Sequence, residues 1–285
     1  MTIPKTNGRE FKPNLKDIIK TPLSVKMSGF VTRFKRHILK MQLDDDNWET
    51  YSKAYGPENE AESYYYTFDL GKIDHKIIDG NIYILGDCKP LQFSNRAIIE
   101  AVINLPDISS ISEVGTGNGK LIVNIKRILG PKVIYTASDI AKCQLDLFKQ
   151  TFPEDFNQIQ PYIFNITERS LPANDKQDVV FAATVLMHIK REIEYRKALE
   201  NLLLSANKYV VILDNWKSHD YYNDILTIIK NNTDKFSCST VYKYDSGSNI
   251  CIIVGLIKDK LPLMYDVLNN NVMLFKYFAL NGEWK

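Results

Sequence analysis

A glycine-rich turn set between a short apolar strand and an amphipathic helix constrains this chain more than any other feature. ISEVG (111–115) reads as the strand and KLIVNIKRIL (120–129) as the helix. Between them runs Glu113-Val114-Gly115-Thr116-Gly117-Asn118-Gly119. Glycine reaches positive φ at no steric cost and leaves no Cβ between the backbone and a ligand. A Gly-x-Gly alone is weak evidence, since any tight turn can use it. The strand before it and the helix after it turn it into a ligand-binding turn.

The same alternation continues along the chain. SNRAIIEAVINL predicts a helix capped by Ser94, KVIYTAS a strand and AKCQLDLFKQTF a helix. IQPYIFNI and the near-continuously apolar DVVFAATVL read as further strands, the second buried on both faces. The helix IKREIEYRKALENLLLSA, the strand KYVVILDN and the helix SHDYYNDILTIIKNN follow, and FSCSTVYKYD and SNICIIVGLIK close the pattern as two strands. Strands alternating with helices predict an α/β domain over residues 91–258. Its sheet is Rossmann-like and mostly parallel, with about seven strands, the last antiparallel, and helices on both faces.

Residues 1–90 lie outside that pattern and are predicted to form an N-terminal cap; residues 259–285 are a C-terminal extension. Within the cap, residues 1–40 hold a basic cluster, read as a solvated helix face, a contact for an anionic acceptor or a lid. Residues 41–90 are aromatic-rich, and YYYTFDL and GNIYILGD are β-prone, with a turn at Gly80-Asn81. Aromatic faces suit sugars and flat rings as well as plain core packing. Trp48 and Tyr65 are the acceptor-binding candidates here.

Composition removes several function classes. The net charge is +2, from 36 basic and 34 acidic residues, which leaves no general electrostatic footprint for long nucleic acid. Cys88, Cys143, Cys238 and Cys251 form no Cys-x-x-Cys pair, so neither a metal site nor a redox motif is expected. No apolar run approaches the ~18 residues of a membrane span, and the first twenty residues lack the apolar core of a secretory signal. The expectation is a cytoplasmic protein without a membrane partner.

Asp139 ends the strand after the glycine turn, 20 residues past Gly119. A carboxylate there can accept hydrogen bonds from both hydroxyls of a ribose, or it can cap the helix that follows. With these residues in place, EVGTGNG, ASDI, FNIT and DVVFAATVLMHI resemble the ordered motifs of class I S-adenosylmethionine-dependent methyltransferases, over roughly residues 94–258. The resemblance implies S-adenosylmethionine as cofactor and S-adenosylhomocysteine as product. It implies that Glu113 sits near the amino-acid moiety and that the turn Gly115, Thr116, Gly117, Asn118 and Gly119 passes beside the methionine part. It also implies that Asp139 holds the ribose and Ile140 packs on adenine. Asn165, with Ile166 beside it, corresponds to the family's adenine contact, though Asn165 also suits a strand-end turn.

Ala183 to Ile189 would line the cleft between cofactor and acceptor. His188 is the candidate general base, because imidazole titrates near neutral pH; the competing role is to order the loop. Asp214 and Trp216 end the next strand, where ligands of open α/β sheets collect, and they either touch the acceptor or simply terminate the strand. The chain has Ala-Ala-Thr-Val where many base- and glutamine-directed amino-methyltransferases carry Asn-Pro-Pro-Tyr. The expected acceptor is therefore a small molecule or sugar, with O-methylation foremost. RNA or protein methylation, or a non-catalytic binding protein of the same fold, are the alternatives.

Overall fold

The computed structural model describes residues 75–78, 80–84, 93–172, 175–215, 218–232, 239–246 and 249–256, together with three two-residue strands further on. The site-bearing part is one sheet whose strands alternate with helices. β3 (Ser110–Val114) leads to α2 (Lys120–Leu129), β4 (Ile134–Asp139) to α3 (Lys142–Thr151), and β6 (Gln177–Ala183) to α5 (Glu192–Leu204). β7 (Ala206–Asn215) leads to α6 (Tyr221–Asn231), and β8 (Ser239–Ser246) and β9 (Asn249–Gly255) close the series. α1 (Phe93–Ile103) precedes β3, and α4 (Pro153–Ile159) leads to β5 (Tyr162–Ile163).

The strand order is β12-β8-β9-β7-β6-β3-β4-β5, with β12 at Tyr277–Phe278; β10 (Tyr265–Asp266) and β11 (Asn271–Val272) pair with each other apart from it. From β5 to β7 every pairing is parallel, and β9 runs antiparallel to both β7 and β8. β9 is the seventh strand of the domain, so the expected mostly parallel, Rossmann-like sheet with an antiparallel last strand is observed. β12 adds an eighth strand from the C-terminal extension, antiparallel to β8. The chain moves outward from β3 through β4 to β5, then returns to β6 on the other side of β3. The carboxyl ends of β3 and β6 therefore flank the topological switch point, where ligands of such sheets bind.

Both faces of the central strands are buried, and the pleat sorts their side chains. Val179 and Phe181 of β6, Tyr209, Val211 and Leu213 of β7 and Cys251 and Ile253 of β9 pack with α1 to α3 on one face. Val180 and Ala182, Val210 and Ile212, and Ile252 and Val254 pack with α5 and α6 on the other. This explains the continuous apolar runs of the sequence: period-two alternation vanishes when neither face meets water.

Three expectations need correction. α1 begins at Phe93, which puts Ser94 inside its first turn rather than at the cap. The strand expected over IQPYIFNI shrinks to Tyr162–Ile163, because Phe164 and Ile166 leave the ladder and bury in the core. α4 was not anticipated. Its signal was present, with Pro153 in the first turn and Glu154 and Asp155 beside it, a favourable pairing with the helix dipole.

β1 (His75–Ile78) and β2 (Asn81–Ile84) form an antiparallel hairpin with Gly80 at φ 82° in its turn. Asn104, at the end of α1 that feeds β3, donates to the Ile82 carbonyl (2.7 Å) and accepts from its N–H (2.8 Å). This hairpin thus docks toward the start of β3, the end opposite the glycine turn. Tyr65 and Trp48 lie outside the described residues, as does YYYTFDL.

Phe148 of α3 is fully buried, edge-on to Phe152 (6.3 Å) and Phe156 (5.5 Å). Phe148→Ala should cost about 3–5 kcal/mol, read as a lower urea midpoint at unchanged slope.

Candidate functional site

β3 delivers Glu113 to the floor of the turn, and the turn folds back over β4. The N–H groups of Gly115 and Thr116 both donate to the Ser138 carbonyl, at 2.8 and 2.9 Å. Gly115, Gly117 and Gly119 all have positive φ, at 73°, 54° and 79°. Two of them also make room for the chain itself. A Cβ on Gly115 would stand 2.3 Å from the Val185 side chain, and one on Gly119 would stand 2.4 Å from the Phe148 ring. Beside Gly117 the nearest atom to such a Cβ is Gln144 Oε1, at 3.6 Å. Of the three turn glycines, Gly117 is therefore the one where a Cβ would meet only ordinary contact, so its positive φ alone calls for glycine.

Two buried carboxyls hold this turn. Glu113 Oε2 accepts from the Thr116 hydroxyl (2.7 Å) and the Ile122 N–H (3.2 Å), which ties the turn to α2. Burial pushes its carboxyl up from 4.5 to about 8. Asp139 Oδ2 accepts from Gly117 N–H (2.9 Å), and its Oδ1 accepts from Ala141 N–H (2.9 Å). Asp139 thus orders the start of α3 and grips the turn at once. Burial raises its pKa too, against the pull of those N–H bonds. Each oxygen keeps a further lone pair, so accepting from ribose hydroxyls is compatible with both bonds. Ile140 beside it is 45% exposed, an apolar side chain left uncovered at the strand end.

Asn118 supplies a direct test of whether a cofactor fits here. Its Oδ1 accepts from the Lys120 N–H (3.2 Å), while its Nδ2 is buried and has no hydrogen-bond partner. Leaving a buried donor unsatisfied costs roughly 1–3 kcal/mol. An anionic or carbonyl group bound in the turn would satisfy it. The donor set therefore fits a ligand with an acceptor at the turn, a cationic centre near the Glu113 carboxyl and hydroxyls near Asp139. S-adenosylmethionine carries all three.

Asn165 and Ile166, the expected adenine contacts, follow β5. Asn165 Oδ1 accepts from the Thr167 N–H (3.0 Å) and hydroxyl (2.8 Å), and its Nδ2 donates to Glu168 (3.0 Å). Its amide is engaged in its own turn. The Ile166 side chain is buried in the α5-side core, and its carbonyl accepts from Asn201 (2.7 Å).

β6 ends at Ala183, and the loop after it runs from Thr184 to Ile189. Ala183 is half-buried, and Val185 packs into the space that Gly115 leaves. His188 ends a single 3-10 turn, Leu186–His188, with its N–H donating to the Val185 carbonyl (3.1 Å). Asp214 is fully buried beneath this loop. Its carboxylate accepts from the Met187 N–H (3.2 Å) and the Asn215 N–H (3.1 Å), and also from those of Leu186 and Val185. Burial raises it from 3.8 to about 7. Trp216 lies outside the described residues. Thr184, within the expected cleft-lining segment, stands at φ 57°. A β-branched residue in that region is a genuine outlier, and nothing in the sequence signals it.

Among the described residues, no group of three or more His, Cys, Asp or Glu side chains is placed to hold a metal ion, and no helix is long and apolar enough to cross a membrane.

No family model matches the chain, and no curated protein does. Solved structures resemble it in fold. The CurJ carbon methyltransferase is 14% identical, covering 59% of this chain and 54% of its own, at a TM-score of 0.43. Magnesium protoporphyrin IX methyltransferase from Synechocystis, with bound SAM, is 18% identical, covering 57% and 80%, at 0.44. A TehB-like SAM-dependent methyltransferase from Corynebacterium glutamicum is 16% identical, covering 61% and 90%, at 0.43. The chain spans about half the length of the first of these. At such identities and TM-scores the likeness concerns the fold alone.

The buried carboxyls make stability depend on pH. In the folded state Glu113 and Asp214 hold protons that the unfolded chain releases near pH 4, so their contribution is full below that and is lost as pH rises through about 7 and about 8. Asp214→Asn and Glu113→Gln should each flatten the fall in melting temperature between pH 5 and pH 8. Calorimetric scans across that window read it; a slope equal to the parent's would mean that the carboxyl is ionised throughout.

Proposed function

We propose that this chain is an S-adenosylmethionine-dependent methyltransferase, acting in the cytoplasm on a small-molecule or sugar acceptor, with O-methylation foremost. One observation carries the reading. At the switch point of a Rossmann-like sheet, the buried Asp139 at the end of β4 accepts from the Gly117 N–H of the turn after β3, next to the unsatisfied buried amide of Asn118. The bound sulfonium would supply an activated methyl group for in-line displacement by a nucleophile. The protein's work is then to bind, orient and manage one proton.

Asp139 would accept the ribose hydroxyls, Asn118 Nδ2 would donate to the amino-acid carboxylate, and Ile140 would cover the adenine. The Glu113 carboxyl lies in the floor of the turn, where a nearby cation favours its charged form. The Ala183–Ile189 segment would face the acceptor, with His188 taking the proton of an attacking hydroxyl. The small-acceptor class is supported by the near-neutral charge and by Ala-Ala-Thr-Val across the end of β6. Neither feature favours nucleic acid.

The cofactor is tested first. Asp139→Ala removes acceptors worth roughly 1.5–3 kcal/mol per charged hydrogen bond, so affinity for S-adenosylhomocysteine should fall by about ten-fold or more in a calorimetric titration. Equal binding by parent and variant removes Asp139 from the site. No binding by the parent turns the proposal toward a fold used for something else.

His188 is tested on the acceptor that emerges from a screen of sugars and small hydroxylated metabolites. As general base, His188→Ala should lower turnover by roughly 10²–10⁴-fold with cofactor affinity held. A residue that only orders the loop would instead lower the melting temperature and keep turnover per folded molecule.

A further inference from the structure

His219 lies outside every residue assigned so far, yet it reaches the loop that carries His188. Its Nε2 stands 3.2 Å from the Leu186 carbonyl oxygen. A carbonyl oxygen only accepts, so Nε2 carries the proton and donates. The same oxygen already accepts the Ile189 N–H, at 3.0 Å. The imidazole is locked in place by two rings. It stacks on Tyr195, with centroids 3.6 Å apart and planes at 5°, and Tyr221 meets it edge-on at 5.6 Å and 83°.

Those rings are themselves fixed. Tyr195 is fully buried, and its hydroxyl donates to Asp224 Oδ2 (3.1 Å), while Asp224 also pairs with Arg196 (3.0 Å). Tyr221 is buried as well, in the field of the Asp214 carboxylate. The loop is therefore held from two sides. Asp214 accepts its N–H groups, and His219 donates to its carbonyl. Its first residue, Thr184, is strained at φ 57°, and such strain persists only where the surroundings over-determine it.

We propose that His219 is a positioning residue: through the Leu186 carbonyl it fixes the 3-10 turn that presents His188 to the reacting centre. The proposal rests on the reading that this loop faces the acceptor beside a bound cofactor. His219 touches no reacting atom in this scheme. It sets where His188 stands.

The test compares His219→Phe, which keeps a ring on Tyr195 and loses the donor, with His219→Gln, which restores an N–H donor. Amide hydrogen exchange is followed at Met187, His188 and Ile189. The His188 ring resonance is followed during titration with S-adenosylhomocysteine. In His219→Phe, those three amides should exchange about two- to ten-fold faster, as for one lost hydrogen bond, while exchange in β6 and β7 and the melting temperature hold. The His188 ring response to S-adenosylhomocysteine should shrink at unchanged affinity, and His219→Gln should recover both.

Unchanged exchange in His219→Phe overturns the latch. Faster exchange with an unaltered His188 response overturns the positioning role. If the parent fails to bind S-adenosylhomocysteine, the cofactor reading fails while the exchange comparison still decides the latch. His219→Leu takes the place of His219→Phe should that variant not fold.

Discussion

The backbone of Gly115 and the side chain of Val185 occupy space that a single Cβ would destroy, and the rest of the site depends on that approach. Gly115 directly follows β3, the first strand of the domain, and Val185 belongs to the loop after β6, the strand returning on the other side of β3. A Cβ 2.3 Å from Val185 Cγ2 would force the turn and the loop apart. Because the chain reverses direction across the sheet between these strands, the two segments are the walls of the crevice at the switch point. Their contact sets its width before any ligand arrives.

Buried acids then hold the crevice from below. Glu113, Asp139 and Asp214 stand at the ends of β3, β4 and β7, and each accepts backbone N–H groups from the loops or the helix start above the sheet. Burying a carboxyl is costly, and the raised pKa values of all three record that cost. The return is loop geometry fixed by directional bonds. For a cationic ligand there is a second consequence: a carboxyl kept partly protonated by burial becomes a better partner as the cation approaches and draws it toward its charged form. Glu113 and Asp139 thus shape the turn and favour positive charge beside it.

What was legible in the sequence divides along physical lines. The glycine turn was legible because three glycines within five residues between a strand and a helix demand unusual backbone. Asp139 was legible through its spacing from that turn, and the structure shows that its two readings, ribose acceptor and helix-start anchor, do not exclude each other. β6, β7 and β9 were legible as apolar runs, although burial on both faces hid their alternation. β5 was overestimated because Phe164 and Ile166 look like strand residues and act as core. Asp214 was found as a strand-end acid, but its burial was not legible, since its loop partner Met187 lies 27 residues away and leaves no local trace. Thr184 and His219 were invisible for the same reason: strain and ring stacking are set by tertiary neighbours.

The loop after β6 shows how these layers combine. Thr184 adopts a backbone that β-branched residues avoid, at a cost of order 1–3 kcal/mol. Its N–H donates to the Leu213 carbonyl (2.7 Å), which fixes the start of the loop against β7. One residue further along β7, Asp214 takes up the amides that follow, and His219 in turn reaches the Leu186 carbonyl from the segment leading into α6. Each of these bonds alone is worth about as much as the strain it opposes. Only together do they exceed it, so the loop's shape is a property of β7 and the segment after it as much as of its own sequence. A substitution in that neighbouring segment can therefore change how His188 is presented without touching the turn, the cofactor contacts or His188 itself.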